Sequence, residues 1–222
     1  MRLGIFTKTF DRPTLDAKLE AVRAFGMSDV QFNLSCAGLP ALPDDPEELD
    51  AAVCETIRST FARHGVNMAA ISGTFNMIHP DMSVREAGLR RLNVLAAACK
   101  ALGTGLITLC TGTRDPHNMW RRHPDNDSAE AWRDLLHMVE RALAVAEAHD
   151  VTLAFEPEVT NVVDSAAKGR RLLDAMRSPR LKVLMDGANL FHAGELAHMH
   201  AILDEAFALL GSDLALAHAK DL

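Results

Sequence analysis

Several features that would assign a function class directly are missing from this sequence of 222 residues. It contains no G-x-S-x-G, no Walker loop and no plausible Cys/His pair, so nucleophilic and nucleotide chemistry have little support. Its four cysteines form no C-x-x-C pair, and most lie in apolar patterns where a thiol packs as a small hydrophobe. We therefore expect reduced cysteines and a cytoplasmic protein.

Long hydrophobic segments and an excess of basic residues are also absent. No apolar run approaches the roughly 18 residues of a membrane span, and the N-terminus lacks an apolar segment of signal-peptide length. The formal net charge is −7, so the electrostatic field of the protein should repel polyanions. These absences predict a protein that is neither exported nor embedded in a membrane and that does not bind nucleic acid.

What the sequence does contain is a regular alternation of two patterns. Seven short apolar runs each have about the length of a strand that is buried on both faces. They read "RLGIF", "DVQFNL", "VNMAAIS", "LITLC", "VTLAF", "LKVLM" and "DLALAH". Segments with helical periodicity lie between them, so the chain is predicted to be βα repeated six times and followed by one more strand.

Glycines and capping signals predict where the helices begin and end. The first two helical patterns stop at Gly26 and before Gly65, while "SVRE" at Ser83 and "DSAE" at Asp127 are helix-start signals. The last two helices are predicted to span about 164–176 and 195–210.

Two architectures fit a parallel sheet of this kind, a doubly wound open sheet and a (β/α)8 TIM barrel. The first βα turn, "TKTFDRP", has no glycine fingerprint, which argues against a dinucleotide-binding sheet. Evenly recurring βα units favour the barrel. We predict a single domain over residues 1–222, a TIM barrel that is truncated after its seventh strand.

Polar residues follow the last three predicted strands at the points where these strands end. Glu156 and Glu158 follow the fifth strand, Asp186 and Asn189 the sixth, and His218 the seventh. Function in α/β folds gathers at this end of the strands. Two carboxylates and one imidazole suit Mn²⁺, Mg²⁺, Co²⁺ or Zn²⁺, so a divalent metal site is predicted; the alternative for each residue alone is a helix cap or a solvated charge.

Two earlier loops supply further candidates. "GTFNMIHPD" after the third strand contains His79, which either faces a substrate or only packs in a turn. The long loop after the fourth strand, "TGTRDPHNMWRRHPDN", contains Arg114, a candidate for holding a carboxylate, phosphate or sugar hydroxyl. A nucleic-acid patch is the competing interpretation of this loop, and its flanking acidic residues weaken it.

Together, "GTFNMIHPD", "TGTRDP…MW…HPDN", "FEPE", "MDGANL" and "HAKD" resemble the sugar phosphate isomerase/epimerase family, the xylose isomerase-like TIM barrels. The resemblance covers essentially the whole chain. It implies that Glu156, Asp186 and His218 bind one divalent metal and that Glu156 is also a catalytic base. His79, Arg114, Glu158, Asn189 and Lys220 would then orient substrate hydroxyls, with Asp221 as a further supporting residue.

The implied reaction is isomerisation or epimerisation of a sugar, sugar phosphate or related polyhydroxy carbonyl compound by proton transfer through an enediolate. The family's fourth ligand and second base is a glutamate on strand eight, which this chain lacks. We therefore expect either a longer natural polypeptide or a partner chain that closes the gap, and a homo-oligomer is possible. The alternatives are an endonuclease IV-like phosphodiesterase, against which Asn189 replaces a histidine ligand, and a non-catalytic barrel fragment or binding module.

Overall fold

The computed structural model of the protein describes residues 2–192 and 194–220. Asp221 lies outside the described residues. The chain falls into two compact units. Unit 1 comprises residues 2–73, 90–107 and 149–151, and unit 2 comprises the remaining described residues.

Unit 1 contains the first three strands, β1 (Gly4–Phe6), β2 (Asp29–Phe32) and β3 (Asn67–Ser72). All are parallel, with Gly4 opposite Asp29 and, further along, Phe32 opposite Ile71. Every residue of β2 is buried, including the polar Asp29 and Gln31, so this strand is covered on both faces.

Helices α1 (Leu15–Ala24) and α2 (Ala51–His64) connect these strands. Gly26 and Gly65 follow the two helix ends with φ of 76° and 59°, a left-handed conformation that glycine adopts without steric cost. The predicted ends of both helices are confirmed. Helix α3 (Met82–Leu102) and strand β4 (Leu106–Cys110) each contribute residues to both units.

Unit 2 contains the other three strands and three helices. In chain order they are α4 (Ala129–Ala148), β5 (Thr152–Glu156), α5 (Ala166–Met176), β6 (Leu181–Asp186), α6 (Met199–Leu210) and β7 (Leu214–His218). Strand β6 pairs in parallel with both β5 and β7. The interior residues of β5 and β6, such as Phe155 and Val183, are almost fully buried.

The βα order agrees with the sequence prediction throughout the described residues, which contain seven strands and no eighth. Within each unit, neighbouring strands in the sheet are also consecutive along the chain, β1-β2-β3 in unit 1 and β5-β6-β7 in unit 2. All four cysteines are buried and free, which confirms that they pack as apolar side chains. In the part of the chain that the structure describes, no helix has the length and apolar character to cross a membrane.

Two predicted helix starts differ from the structure. Helix α3 begins at Met82, because the Asp81 carboxylate, rather than Ser83, accepts a hydrogen bond from a first-turn N–H group at 2.8 Å. Glu86 instead forms an ion pair with Arg141. Helix α4 is capped by Ser128 and not by Asp127, the predicted cap. The Ser128 hydroxyl accepts a hydrogen bond from the N–H of Ala131 at 3.0 Å.

Candidate metal centre at three strand ends

Unit 2 brings three potential metal ligands together. Glu156, Asp186 and His218 are the last residues of β5, β6 and β7, and the register places Asp186 directly opposite His218. Parallel strands in register end at the same edge of a sheet, so their terminal side chains are neighbours. One ligand atom from each residue lies within 4.8 Å of the other two.

Asp186 is the most buried member of this cluster, and its carboxylate is ionised. Its Oδ1 accepts a hydrogen bond from the N–H of Ala188 at 3.0 Å, and its Oδ2 lies 3.7 Å from Nδ1 of His218 and 3.1 Å from Nζ of Lys220. Burial opposes ionisation, but the polar interactions with His218 and Lys220 outweigh it and lower the pKa of Asp186.

Glu156 has the opposite electrostatic environment. Burial is the main cause that raises its pKa to about 7, and the negative charges of Asp186 and Glu158 act in the same direction. His218 and a hydrogen bond from Asn189 favour the ionised form and reduce the shift. The cluster therefore pairs one firmly ionised carboxylate with one that exchanges its proton near neutral pH.

Asn189 connects Glu156 to a nearby cation. Its amide Nδ2 donates to Oε1 of Glu156 at 2.5 Å, and its Oδ1 accepts from Nζ of Lys220 at 2.6 Å. Lys220 therefore touches both Asp186 and Asn189. The two carboxylates, the amide and the ammonium form one continuous polar network.

Glu158 is half-buried and fixed by its own loop. Its carboxylate accepts from the Thr160 hydroxyl at 2.8 Å and from Nδ2 of Asn161 at 3.1 Å. Burial raises its pKa more than these hydrogen bonds and the charge of Lys220 lower it. Glu158 is close enough to Glu156 and Asp186 for its charge to influence both groups.

His79 and Arg114 are engaged by the protein itself. Nδ1 of His79 accepts from the N–H of Asp81 at 3.0 Å, which leaves the other ring nitrogen as the donor to the Pro116 carbonyl at 3.2 Å. The guanidinium of Arg114 is buried, pairs with Asp134 at 2.6 Å and donates to the Ile78 carbonyl at 3.2 Å. Both side chains thus join the loops after β3 and β4.

Two buried asparagines fix the conformation of the neighbouring loops through hydrogen bonds. The sequence did not predict this structural role. Asn126 is 1% exposed; its Oδ1 accepts from the N–H of Arg114 and its Nδ2 donates to the Thr160 carbonyl. Asn161 is fully buried and accepts from the N–H of Gly112 at 2.5 Å while it donates to Glu158. Asparagine is common in loops, so the sequence carries no signal that these two amides are buried.

Gly112 shows how closely the loops approach. Its φ of 86° suits glycine, and a Cβ atom there would lie 2.2 Å from Oδ1 of Asn76. Asn76 itself binds both the N–H and the carbonyl of Thr113. The close approach therefore fixes the loop after β3 against the loop after β4.

A parallel α/β chain with carboxylate and imidazole side chains at the ends of consecutive strands has the site placement of TIM-barrel enzymes. The family model of the xylose isomerase-like TIM barrels matches residues 19–222, and the chain belongs to this family. None of the curated proteins matches the sequence.

Solved structures show the same fold at low sequence identity. The probable 3-DHS dehydratase AsbF of Bacillus anthracis has a TM-score of 0.75 and 12% identity, over 100% of this chain and 74% of that one. The 3-keto-D-glucoside 4-epimerase YcjR of E. coli has a TM-score of 0.70 and 17% identity, over 100% and 79%. The IolI protein with a bound zinc atom has a TM-score of 0.70 and 14% identity, over 100% and 74%.

Proposed function

We propose that the protein is a divalent-metal-dependent isomerase or epimerase that acts on a sugar, sugar phosphate or related polyhydroxy carbonyl compound. The observation that carries this proposal is the convergence of Glu156, Asp186 and His218 at three neighbouring strand ends. Two carboxylates and an imidazole form a donor set that suits Mn²⁺, Zn²⁺, Mg²⁺ or Co²⁺.

Glu156, Asp186 and His218 would hold the ion, which when bound would polarise a substrate carbonyl and lower the barrier to losing the neighbouring proton. Glu156 would accept that proton, giving an enediolate; its return to the adjacent carbon completes an isomerisation, whereas an epimerisation needs a second proton donor on the opposite face of the substrate. Asn189 orients Glu156 for this role through the hydrogen bond to Oε1. The carboxylate of Glu158 and the ammonium of Lys220 flank the cluster and would bind hydroxyl groups of the substrate.

The roles of His79 and Arg114 in this proposal are indirect. Their hydrogen bonds tie the loops after β3 and β4 together, so they would shape the wall beside the substrate. Arg114 would bind a substrate anion only by leaving Asp134, a partner at 2.6 Å.

A phosphodiesterase is less well supported. Multi-metal phosphodiester sites need more histidine and carboxylate ligands than one cluster supplies, and within the described residues Glu156, Asp186 and His218 are the one group of this kind. The net charge of −7 also disfavours a polyanionic substrate.

Metal binding is the first test. The protein is stripped with EDTA and titrated calorimetrically with Mn²⁺ and Zn²⁺, and one ion should bind per chain. Glu156→Gln and Asp186→Asn should each weaken metal binding by more than about 100-fold. Loss of a residue that only hydrogen-bonds to a metal ligand already lowers metal affinity by about 10- to 100-fold. Asp204→Asn, an exposed aspartate on α6, is the control and should bind as the wild type does.

Proton transfer is the second test. The metal-loaded protein is incubated in D2O with a panel of ketoses, keto-glycosides and their phosphates, and deuterium at the carbon beside the carbonyl is followed by NMR. We expect exchange with at least one substrate class and none with Glu156→Gln. A wild-type protein that binds no divalent ion at millimolar concentration would contradict the proposed function.

A further inference from the structure

A positively charged side chain already contacts the candidate metal ligands. Nζ of Lys220 lies 3.1 Å from Oδ2 of Asp186 and 2.6 Å from Oδ1 of Asn189. Oδ2 is also the Asp186 oxygen that faces His218, at 3.7 Å from Nδ1. The ammonium and a bound cation would therefore compete for the same carboxylate oxygen.

The two partners differ sharply in exposure. The side chain of Asp186 is 3% exposed, whereas that of Lys220 is 50% exposed. The carboxylate therefore stays in place, and the lysine can move its charged end into water at little cost, because its flexible stem keeps the ammonium solvated outside the cluster. An exchange of the ammonium for a metal ion needs no rearrangement of the strands.

Simultaneous occupation would be costly. Metal–oxygen distances are about 2.1 Å, so an ion bound to Oδ2 would lie no more than about 5 Å from an unmoved Nζ. Even with the screening of bulk water, repulsion between a single and a double positive charge at about 5 Å corresponds to a factor of about ten in affinity. Partial burial of the cluster makes this factor larger.

We propose that Lys220 is an internal competitor that sets the affinity of the site for divalent cations. Its ammonium neutralises Asp186 and steadies Asn189, and a metal ion binds by displacing it. This inference rests on the proposed metal site and adds a residue that opposes metal binding instead of supporting it. The site would then discriminate by charge, since a monovalent ion gains less from the carboxylates than a divalent ion does.

The test compares Mn²⁺ affinity among charge variants of the stripped protein by calorimetry. Lys220→Met should bind Mn²⁺ about tenfold more tightly or better than the wild type, by the same Coulomb argument, and Lys220→Arg should stay close to the wild type. Lys168→Met is the matched control: this lysine is also paired with two aspartates, at 2.9 Å each, and its loss changes the net charge equally. It should leave the affinity unchanged.

Each outcome has a separate meaning. If the wild type binds Mn²⁺ and Lys220→Met binds it equally or more weakly, Lys220 is not a competitor and the inference is wrong. If Lys168→Met tightens binding as much as Lys220→Met, the effect comes from net charge and the inference is also wrong. If neither the wild type nor Lys220→Met binds Mn²⁺, both the inference and the proposed metal site are overturned. Circular dichroism spectra of the variants exclude misfolding as the cause.

Discussion

The raised pKa of Glu156 predicts that this residue destabilises the folded protein at high pH. In the unfolded chain the carboxyl group has its ordinary pKa of 4.5, whereas in the folded protein the pKa is about 7. Between these two values the folded protein binds the Glu156 proton more tightly than the unfolded chain does. Stability contributed by this group is therefore fully present below pH 4.5 and is lost as the pH rises toward 7.

The size of the loss follows from the same two pKa values. One pKa unit corresponds to about 1.4 kcal/mol, so the ionised carboxylate costs the folded state about 3–4 kcal/mol. Glu156 is only half-buried, and solvent screening lowers this figure to about 2–3 kcal/mol. Glu156→Gln removes the ionisation while Oε1 of the glutamine still accepts the hydrogen bond from Asn189.

The variant and the wild type should therefore differ in a pH-dependent way. In EDTA, the free energies of unfolding should be similar at pH 5, and at pH 8 the variant should gain about 2–3 kcal/mol relative to the wild type. Urea unfolding followed by tryptophan fluorescence measures this, because Trp120 and Trp132 both lie in unit 2 with Glu156. Trp132 is buried and is a sensitive probe.

Glu205→Gln is the control, since Glu205 is exposed on α6. Its difference from the wild type should not change between pH 5 and pH 8 by more than a few tenths of a kcal/mol, as for ordinary surface substitutions, which stay within about 0.5 kcal/mol. If the Glu156→Gln difference is the same at both pH values, the electrostatic argument for this site is refuted.

Three further substitutions and one control test the packing of unit 2 in the same unfolding assay. Gly88→Ala places a Cβ atom 2.1 Å from the ring of Phe75 and should cost about 1–3 kcal/mol, whereas Gly211→Ala meets no atom within 4 Å and should be neutral or stabilising. Asn126→Ala leaves buried backbone groups without partners and should cost about 2–4 kcal/mol. Asp134→Asn weakens the ion pairs of the buried Arg85 and Arg114 and should lower the free energy of unfolding by about 3–5 kcal/mol. If the variant is as stable as the wild type, the ion-pair argument is wrong.

The strands of this protein were readily predictable from its sequence. "LITLC" coincides with β4 residue for residue, and four of its five residues are buried. The expectation that every strand is buried on both faces is wrong for β7, whose residues are half-buried or exposed. The convergence of Glu156, Asp186 and His218 followed from strand order alone, because the ends of parallel strands share an edge.

The features that the sequence did not predict depend on partners distant along the chain. Glu86 fits a capping box locally, but its ion pair with Arg141 involves a residue 55 positions away. Arg114 is a plausible anion ligand in a loop, and only the fold shows that α4 brings Asp134 to it. Local sequence patterns carry no information about ion pairs between residues that are distant along the chain. Such pairs can be identified only when the positions of the helices are known.

The buried amides of Asn76, Asn126 and Asn161 have a consequence for protein engineering. Because each of them hydrogen-bonds to a loop other than its own, the loops that follow β3, β4 and β5 in unit 2 cannot be exchanged one at a time without leaving buried groups unsatisfied. A graft intended to change substrate preference would have to transfer segments 74–81, 111–128 and 157–163 as one module. The segment after β6 is tied to this module as well, because the N–H of Val159 donates to the carbonyl of Asn189 at 3.0 Å.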